Sequence, residues 1–158
     1  MLHPMYLPPG NSSQVISSFV DEYGFLSNFH PCLIQMGQVK FTSSEQAYHW
    51  HKLANPEDRE KILKLATAWE AKKFSRKCLI LPDWDDLRTG VMLSVLILKF
   101  EQNLDLKLKL LDTKPAILME GNHWNDTFWG CVWKGEDQGG WIGSNHLGRI
   151  LMLIRDTL

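Results

Sequence analysis

The pattern of hydrophobic and polar positions predicts short strands near the start of the chain. Residues 15–19 have the composition of a short strand, and residues 33–41, with Gly37 at the turn, that of a hairpin. Residues 24–29 lie between them and are predicted to form a tight loop. One further strand is expected at residues 116–120. The other apolar residues recur mainly at the spacing of helices.

Capping signals mark where the helices begin. Two overlapping capping boxes within residues 42–46 predict a helix that runs to about residue 54. Thr67 with Glu70 forms a third box, which opens a helix to about residue 77. Between them, Asn55-Pro56 supplies a cap followed by the proline that is favoured in a first turn, so another helix is expected there.

The longest predicted helix spans residues 84–103 and begins after Pro82-Asp83. Residues 104–111 alternate apolar and charged as a strand does, but their Leu and Lys content directly after a helix favours a short helix. The last helix is expected over residues 145–158. The helical spacing turns one set of residues toward the core: Val91, Val95, Leu98, Leu147, Ile150, Leu151 and Ile154.

Two segments differ from this pattern. Residues 1–14 are rich in Pro, Gly and Ser, which predicts a flexible arm before a single domain over residues 15–158. Residues 121–144 are predicted to be a long connection rich in Gly, Trp and Asn. Connections of this length in a compact domain are usually functional, so we expect this one to help shape a binding site.

Composition and charge narrow the possible functions. A chain of 158 residues, 44% hydrophobic and 22% charged, can fold without metal or disulfides, so no cofactor is expected. The formal net charge of −1 argues against charge-driven binding to duplex nucleic acid and favours small ligands. The three scattered cysteines, with no signal peptide and no apolar run of membrane-spanning length, predict a cytoplasmic protein without a membrane partner.

A row of functional groups is predicted on one face of the first helix. Glu45, Tyr48, His49 and Lys52 are spaced so that an acid, an imidazole and an amine share this face. A solvated salt-bridge face has the same spacing, and the pattern alone leaves both interpretations open. His51 diverges from His49 on a helix, and because no third ligand is nearby, no metal site is predicted.

A second group of polar residues precedes the last predicted helix. Residues 125–130 and 143–149 combine Asn, Asp, Ser, His and Gly. Asn145 is either a simple helix cap or part of a site where backbone N–H groups hold a phosphate. The seven tryptophans of the chain are either core residues or stacking surfaces for a flat ligand. The sequence contains no dinucleotide-binding, P-loop, serine-hydrolase or kinase motif.

Six short motifs occur in a fixed order along nearly the whole chain after the N-terminal arm. They are Gly24-Phe25-Leu26-Ser27-Asn28-Phe29, Ser44-Glu45-Gln46-Ala47-Tyr48 through Lys52, Trp84, Lys99-Phe100-Glu101-Gln102-Asn103, Asn125-Asp126 to Trp129-Gly130, and Asn145-His146-Leu147-Gly148 to Leu151-Met152 and Arg155. No single motif is specific. In this order and at this spacing they resemble the NADAR (YbiA-like) family.

The resemblance implies an α+β fold, a mostly helical single domain with a small β-sheet, and N-glycosidase activity. Members of the family hydrolyse phosphoribosylated aminopyrimidine intermediates of riboflavin synthesis or the ADP-ribose adduct on guanine bases. We therefore expect an enzyme, a hydrolase acting on N-glycosyl bonds. Its expected substrate is a small-molecule or nucleobase-linked ribose phosphate, which includes ADP-ribosylated guanine in nucleotides or nucleic acid.

Carried over position by position, the resemblance implies catalytic roles for Glu45, Lys52 and Asp126. The predicted substrate-binding residues are Asn28, Phe29, Tyr48, Trp84, Lys99, Trp129, Gly130, Asn145 and Arg155. Lys99 and Arg155 are the candidate phosphate partners, with pairing to a surface carboxylate as the alternative for either. The family motif Ser-Glu-His-Tyr is replaced here by Gln46-Ala47 after Glu45, so the pocket wall beside that acid is expected to differ.

Two mechanisms and one non-catalytic alternative follow from these residues. Glu45 and Asp126 can divide proton transfer and stabilisation of the cationic sugar carbon between them. Alternatively, Lys52 can attack the open-chain sugar and form a Schiff base, a role that the resemblance favours. A non-catalytic module that binds ADP-ribose or NAD needs the same pocket but neither Glu45 nor Lys52.

Overall fold

The computed structural model describes residues 14–158, so the arm predicted for residues 1–14 lies, apart from Gln14, outside the described residues. The helices are α1 (Ser44–Lys52), α2 (Pro56–Ile62), α3 (Ala68–Ser75), α4 (Trp84–Gln102), α5 (Leu104–Asp112) and α6 (His146–Thr157). The strands are β1 (Val15–Ile16), β2 (Pro31–Met36), β3 (Val39–Ser43), β4 (Ile117–Leu118), β5 (Gly121–Asn122), β6 (Cys131–Trp133) and β7 (Trp141–Ile142). Within this part of the chain, no helix is both long and apolar enough to cross a membrane.

The described chain forms two compact units. The central unit comprises Phe25–Lys109, and the terminal unit comprises Leu110–Leu158 together with the described residues up to Gly24. The six predicted helices are all present within a few residues of their expected ends, including α5, whose alternating pattern alone resembled a strand. The helix prediction for that segment is therefore confirmed.

The central unit is organised around α1, which begins where the hairpin ends. Strands β2 and β3 pair antiparallel, as predicted, and α1 starts at the residue after β3. The helix packs against α3, α4 and the hairpin. Two apolar clusters form the core here, one of Ile34, Phe41, Ala47 and Val95 and the other of Leu53, Ile62 and Ala71.

The capping predictions are confirmed only in part, since the side chains of Asn55 and Asp83 make no capping bond at the starts of α2 and α4. Thr67 and Glu70 form the complete capping box, in which each backbone N–H donates to the other side chain. At α1, Ser43 Oγ accepts from the N–H of Gln46 over 3.1 Å. The Gln46 side chain does not return to Ser43, because its Oε1 accepts from the N–H of Thr42 over 2.8 Å. Ser43 therefore caps α1, but the returning bond from the Gln46 side chain goes to Thr42 instead of Ser43.

The terminal unit contains two small sheets and α6. Strands β1 and β4 pair in parallel over two positions, so both are shorter than the strands predicted at residues 15–19 and 116–120. Helix α6 packs on β4. It buries the face that the helical spacing predicted, formed by Leu147, Ile150, Leu151 and Ile154.

Residues 121–144 correct the prediction of one long connection. They contain β5, β6 and β7, which pair in that order, and a short 3₁₀ helix at Glu136–Gln138. Strands of two or three residues are too short to show alternation in the sequence. A side chain at Gly130 would collide with the carbonyl oxygen of Glu120, so the two backbones approach there because that residue is glycine.

The segment predicted as a tight loop at residues 24–29 is also different. Residues Asp21–Leu26 form a 3₁₀ helix, and its last two residues, Phe25 and Leu26, are buried. A 3₁₀ helix of six residues has neither the period of an α-helix nor the alternation of a strand. The sequence pattern therefore could not identify it.

Lys99 on α4 is fully buried, which is rare for a lysine. Its Nζ donates to the carbonyl oxygen of Ser27 over 2.9 Å. Loss of water lowers the pKa of Lys99 from 10.5 to about 8, and the nearby Cys32 opposes this shift. The core of the central unit therefore contains an amine that loses its proton more readily than the same lysine in the unfolded chain.

We expect Lys99 to make stability depend on pH between about 8 and 10.5. In that window the unfolded chain binds the proton that the folded chain has lost, so the free energy of unfolding rises with pH. The Lys99→Met variant should lack this rise, which amounts to about 3 kcal/mol at 1.36 kcal/mol per pKa unit. Urea unfolding at a series of pH values measures it. Parallel curves for wild type and variant would contradict the prediction, and exposed Lys64→Met is the control.

Candidate functional site

Glu45 is the acid of a buried polar cluster in the central unit. The residue is only 7% exposed. Its Oε1 lies 2.9 Å from His49 Nε2 and 4.0 Å from Lys72 Nζ. Because a buried carboxylate is costly without such partners, these contacts keep Glu45 inside the protein. The interpretation of this face as a solvated salt-bridge surface is therefore wrong, and the capping box predicted for Thr42 with Glu45 does not form.

Asn28 and Ser44 fix the position of Glu45 at the start of α1. The backbone N–H of Glu45 donates to the Asn28 carbonyl oxygen over 3.0 Å, and Ser44 Oγ donates to Asn28 Oδ1 over 3.0 Å. Asn28 Nδ2 lies 3.4 Å from the Sδ of Met92 on α4. The predicted binding residue Asn28 is thus buried and hydrogen-bonded within the unit, where it anchors the first turn of the acid's helix.

His49 connects Glu45 to α3. Its Nδ1 lies 2.8 Å from the Oγ of Ser75, and this hydroxyl donates to the carbonyl oxygen of Lys72 over 3.0 Å. His49 and Ser75 are both buried. The imidazole is therefore held at both nitrogens, by a carboxylate on one side and a hydroxyl on the other.

Lys52, the last residue of α1, is half-buried. Loss of water lowers the pKa of its amine below 10.5, and the Glu45 carboxylate opposes this shift. The cations Arg76 and Lys72 add to the lowering. A lysine with a lowered pKa is neutral, and hence nucleophilic, in a larger fraction of molecules at neutral pH.

Aromatic side chains adjoin the acid and the imidazole. The ring of Tyr48 meets Trp84 edge to face at 5.0 Å between centroids and His49 at 5.3 Å. Trp84 is 4% exposed. Phe29 is 37% exposed, and Lys72 Nζ lies 5.2 Å from its ring centroid. Four of the predicted binding residues, Asn28, Phe29, Tyr48 and Trp84, therefore contact the cluster around α1.

Gln46, where the chain departs from the family motif, supports the fold. Its Nε2 donates to the carbonyl oxygens of Ile62 over 3.0 Å and Leu65 over 3.2 Å. Its Oε1 accepts from Thr42. The side chain therefore joins α1 to the end of α2, while the groups that contact the Glu45 carboxylate come from α1 itself and from α3.

The remaining predicted site residues lie in the terminal unit, where Asp126 closes a turn. Its Oδ1 accepts from the backbone N–H of Phe128 over 3.0 Å and of Trp129 over 2.8 Å. Its own N–H donates to Asn122 Oδ1 over 3.0 Å. Trp129 is half-buried, with its ring centroid 4.9 Å from that of Phe128. These contacts organise the loop, and the catalytic role of Asp126 stays a prediction.

Asn145 occupies the N-cap position of α6, but its side chain makes no capping bond. Its Oδ1 accepts from the N–H of Glu120 over 3.0 Å, and its Nδ2 donates to the carbonyl oxygen of Leu118 over 2.9 Å. The residue is fully buried and has a φ of 49°, a left-handed conformation that Asn tolerates better than most residues. The simple helix-cap interpretation is wrong, because the side chain ties the start of α6 to the β4–β5 region.

Both predicted phosphate partners, Lys99 and Arg155, are buried and donate to backbone oxygens. Arg155 Nη1 donates to the carbonyl oxygens of Thr113 over 3.3 Å and Ala116 over 2.8 Å, and to Thr113 Oγ1 over 3.0 Å. Its Nε lies 3.9 Å from Asp156. Both cations therefore have partners inside their own units, and their phosphate contacts stay predictions.

Sequence reasoning missed Lys72 and Ser75, and it noted His49 without giving it a role. Ser75 follows Ala71 by four residues, so both lie on the inner face of α3. A polar residue at a buried helical position was the available signal. His51 diverges from His49 as expected, with its Nδ1 2.8 Å from the carbonyl oxygen of Ala47. Within residues 14–158, no group of three or more His, Cys, Asp or Glu is placed to hold a metal.

Comparisons with known proteins identify the family. A family model described as NADAR domain matches residues 16–158. The riboflavin biosynthesis protein VVA0006 of Vibrio vulnificus is 38% identical over 140 residues, which make up 87% of this chain but only 36% of that protein. The N-glycosidase YbiA of Escherichia coli K12 is 32% identical over 140 residues, or 87% of this chain and 83% of YbiA.

The structural comparison agrees with the sequence comparison. The NMR structure of E. coli YbiA matches with a TM-score of 0.76 and 30% identity, covering 93% of this chain and 86% of that one. The predicted helix-rich α+β fold with small sheets is thereby confirmed. Since the family model covers almost every described residue and YbiA is matched over most of its length, this chain belongs to the NADAR family.

Proposed function

We propose that this protein is an N-glycosidase that hydrolyses the bond between a ribose carbon and an amine nitrogen of a ribosylated base. One observation carries the proposal: the half-buried amine of Lys52 and the buried carboxylate of Glu45 share one face of α1. The names of two relatives support it, since YbiA is an N-glycosidase and VVA0006 a riboflavin biosynthesis protein. The matched region makes up only 36% of the V. vulnificus protein.

Lys52 acts as the nucleophile in the proposed reaction. The ring-opened glycosylamine joins the sugar carbon to the base nitrogen by a C=N bond, and the neutral amine of Lys52 adds to that carbon. The base nitrogen then takes a proton and leaves as the free amine, which gives a lysine imine. Water adds to the imine carbon and releases the sugar and Lys52. Burial supports this role, because a lower pKa makes the neutral amine available.

Glu45 supplies the proton to the leaving nitrogen and takes one from the attacking water. A positioned acid of this kind contributes about 10²–10⁴ in rate. The buried environment supports the role, because an acid and its partners interact more strongly when water is excluded. The nearby rings of Tyr48 and Trp84 are proposed as the apolar wall beside the base.

The proposed substrate is a ribose phosphate carried by an aminopyrimidine or by guanine. The name of the V. vulnificus relative supports the phosphoribosyl-aminopyrimidine of riboflavin synthesis as the first choice. ADP-ribosylated guanine carries the same type of bond to an amine nitrogen, and it is the second substrate to test. A module that binds ADP-ribose or NAD without cleaving it is the non-catalytic alternative.

Replacing Lys52 with arginine is expected to abolish base release. Arginine keeps the charge but does not lose its proton, so it cannot add to the sugar carbon. Release of base from each of the two substrates, followed by mass spectrometry, should fall at least about 100-fold for the substrate that wild type cleaves. Sodium cyanoborohydride, which reduces imines, should leave a sugar adduct at Lys52 in wild type and none in the variant.

Exposed Lys77→Arg, just after α3, is the matched control and should retain both base release and the adduct. Cleavage of only one of the two substrates would assign the pathway. A wild-type protein that binds ADP-ribose yet releases base from neither substrate would contradict the hydrolase and favour the non-catalytic module.

The pH dependence of the reaction should report the proton on Lys52. Because loss of water lowers the pKa of this amine, kcat/KM is expected to rise with pH and level off below pH 10.5. Arg76→Gln removes a cation that contributes to the lowering, so the plateau should be reached at higher pH. Lys77→Gln is the control and should leave the profile in place. An Arg76→Gln profile shifted to lower pH would show that another group controls the rate.

A further inference from the structure

A chain of three buried polar side chains links the two helices that pack around the acid. Glu45 Oε1 lies 2.9 Å from His49 Nε2, and His49 Nδ1 lies 2.8 Å from Ser75 Oγ. All three residues are at most 7% exposed. The resemblance assigned a role to Glu45 alone. Ser75 comes from α3, 26 positions after His49, so the arrangement exists only because α1 and α3 pack together.

One hydrogen in the series Glu45, His49 and Ser75 is shared between Glu45 and His49. The Ser75 hydroxyl lies 3.0 Å from the carbonyl oxygen of Lys72 and 2.8 Å from His49 Nδ1, so it can donate to either atom, and the tautomer of the imidazole decides which. His49 Nε2 faces Glu45 Oε1 at 2.9 Å, a distance that requires a hydrogen between the two atoms. This hydrogen is shared by the imidazole and the acid.

The groups that face this pair come from two helices. Tyr48 on α1 meets the imidazole edge to face at 5.3 Å, and Lys72 on α3 holds its Nζ 4.0 Å from Glu45 Oε1. Lys52, on the last turn of α1, interacts electrostatically with the same carboxylate. The two lysines therefore place positive charge beside the carboxylate of the pair. Burial removes water as a competing hydrogen-bond partner of the pair.

We propose that His49, oriented by Ser75, is a positioning residue that holds the Glu45 carboxylate in place and shares with it the proton that the leaving base takes. This inference rests on the proposed glycosidase function and adds a role to a residue that the family resemblance leaves without one. The C–N bond breaks as the proton moves from the pair to the base nitrogen. The pair regains a proton from the water that adds to the lysine imine carbon, so the cycle is balanced.

The test uses two pairs of variants of the full chain. His49→Gln is compared with His51→Gln, a histidine on the same helix whose ring bonds to a backbone carbonyl instead. Ser75→Ala is compared with Ser94→Ala, a serine whose hydroxyl also donates to a carbonyl of its own helix but contacts no histidine. Thermal unfolding establishes that each variant is folded, and kcat, KM and the pH profile are then measured on the substrate that wild type cleaves.

We expect His49→Gln to lower kcat by about tenfold or more, with little change in KM and an altered pH profile of kcat. Ser75→Ala should change kcat in the same direction by a smaller factor, and both controls should behave as wild type. Nitrogen-15 NMR of the imidazole is a readout without substrate. The Nε2 signal of His49 should report a hydrogen bond to Glu45 in wild type, and Glu45→Gln should alter the His49 signals.

Two results overturn the inference. Unchanged kcat and pH profile in a folded His49→Gln, in an enzyme whose wild type is active, would remove the role of His49 and leave the proposed function intact. His49 signals that do not change in a folded Glu45→Gln variant would exclude the shared proton. A wild type that releases no base from either substrate overturns the proposed function instead, and the NMR result then decides only whether the Glu45–His49 pair exists.

Discussion

The burial of α1 is the constraint on which the central unit depends. Residues 44–49 are all buried although four of the six are polar or charged in addition to Tyr48. A buried polar group must find its partner inside the protein, because water is not available to it. Ser44 and Gln46 are hydrogen-bonded to Asn28 and to the end of α2. Glu45 contacts His49 on its own helix at 2.9 Å and Lys72 of α3 at 4.0 Å.

The same loss of water sets the chemistry of the candidate site. It makes the interaction of Glu45 with His49 stronger than it would be at a surface, and it lowers the pKa of Lys52. Hydrolysis of a ribosyl–nitrogen bond by the proposed mechanism requires a positioned carboxyl group and an amine that readily gives up its proton. One physical cause therefore prepares both groups, and they lie on one face of a single short helix.

The terminal unit shows how motif residues can serve the fold. Asp126, Asn145 and Arg155 each make two or more hydrogen bonds to backbone groups of their own unit. Lys99 makes one such bond in the central unit, to the carbonyl oxygen of Ser27. A substitution at any of these positions will act on stability as well as on any contact with substrate, so loss of activity there is weak evidence for a role in binding. Variants at Lys52 and His49 need the same check of folding. Their predicted effects, on the lysine adduct and on kcat, are measured in the reaction itself.

Features that arise between residues close together in the chain could be predicted from the sequence. Caps such as Thr67 with Glu70, the turn at Gly37 and the apolar face of α6 depend on residues within a few positions of each other, and the order of six motifs identified the family. The shortest strands were not predicted correctly, because two or three residues carry no period. Only the tertiary structure decided which polar residues are buried and what they contact. His49 meets Ser75 across 26 positions and Lys99 meets Ser27 across 72, and such contacts depend on how helices pack, which no local pattern encodes.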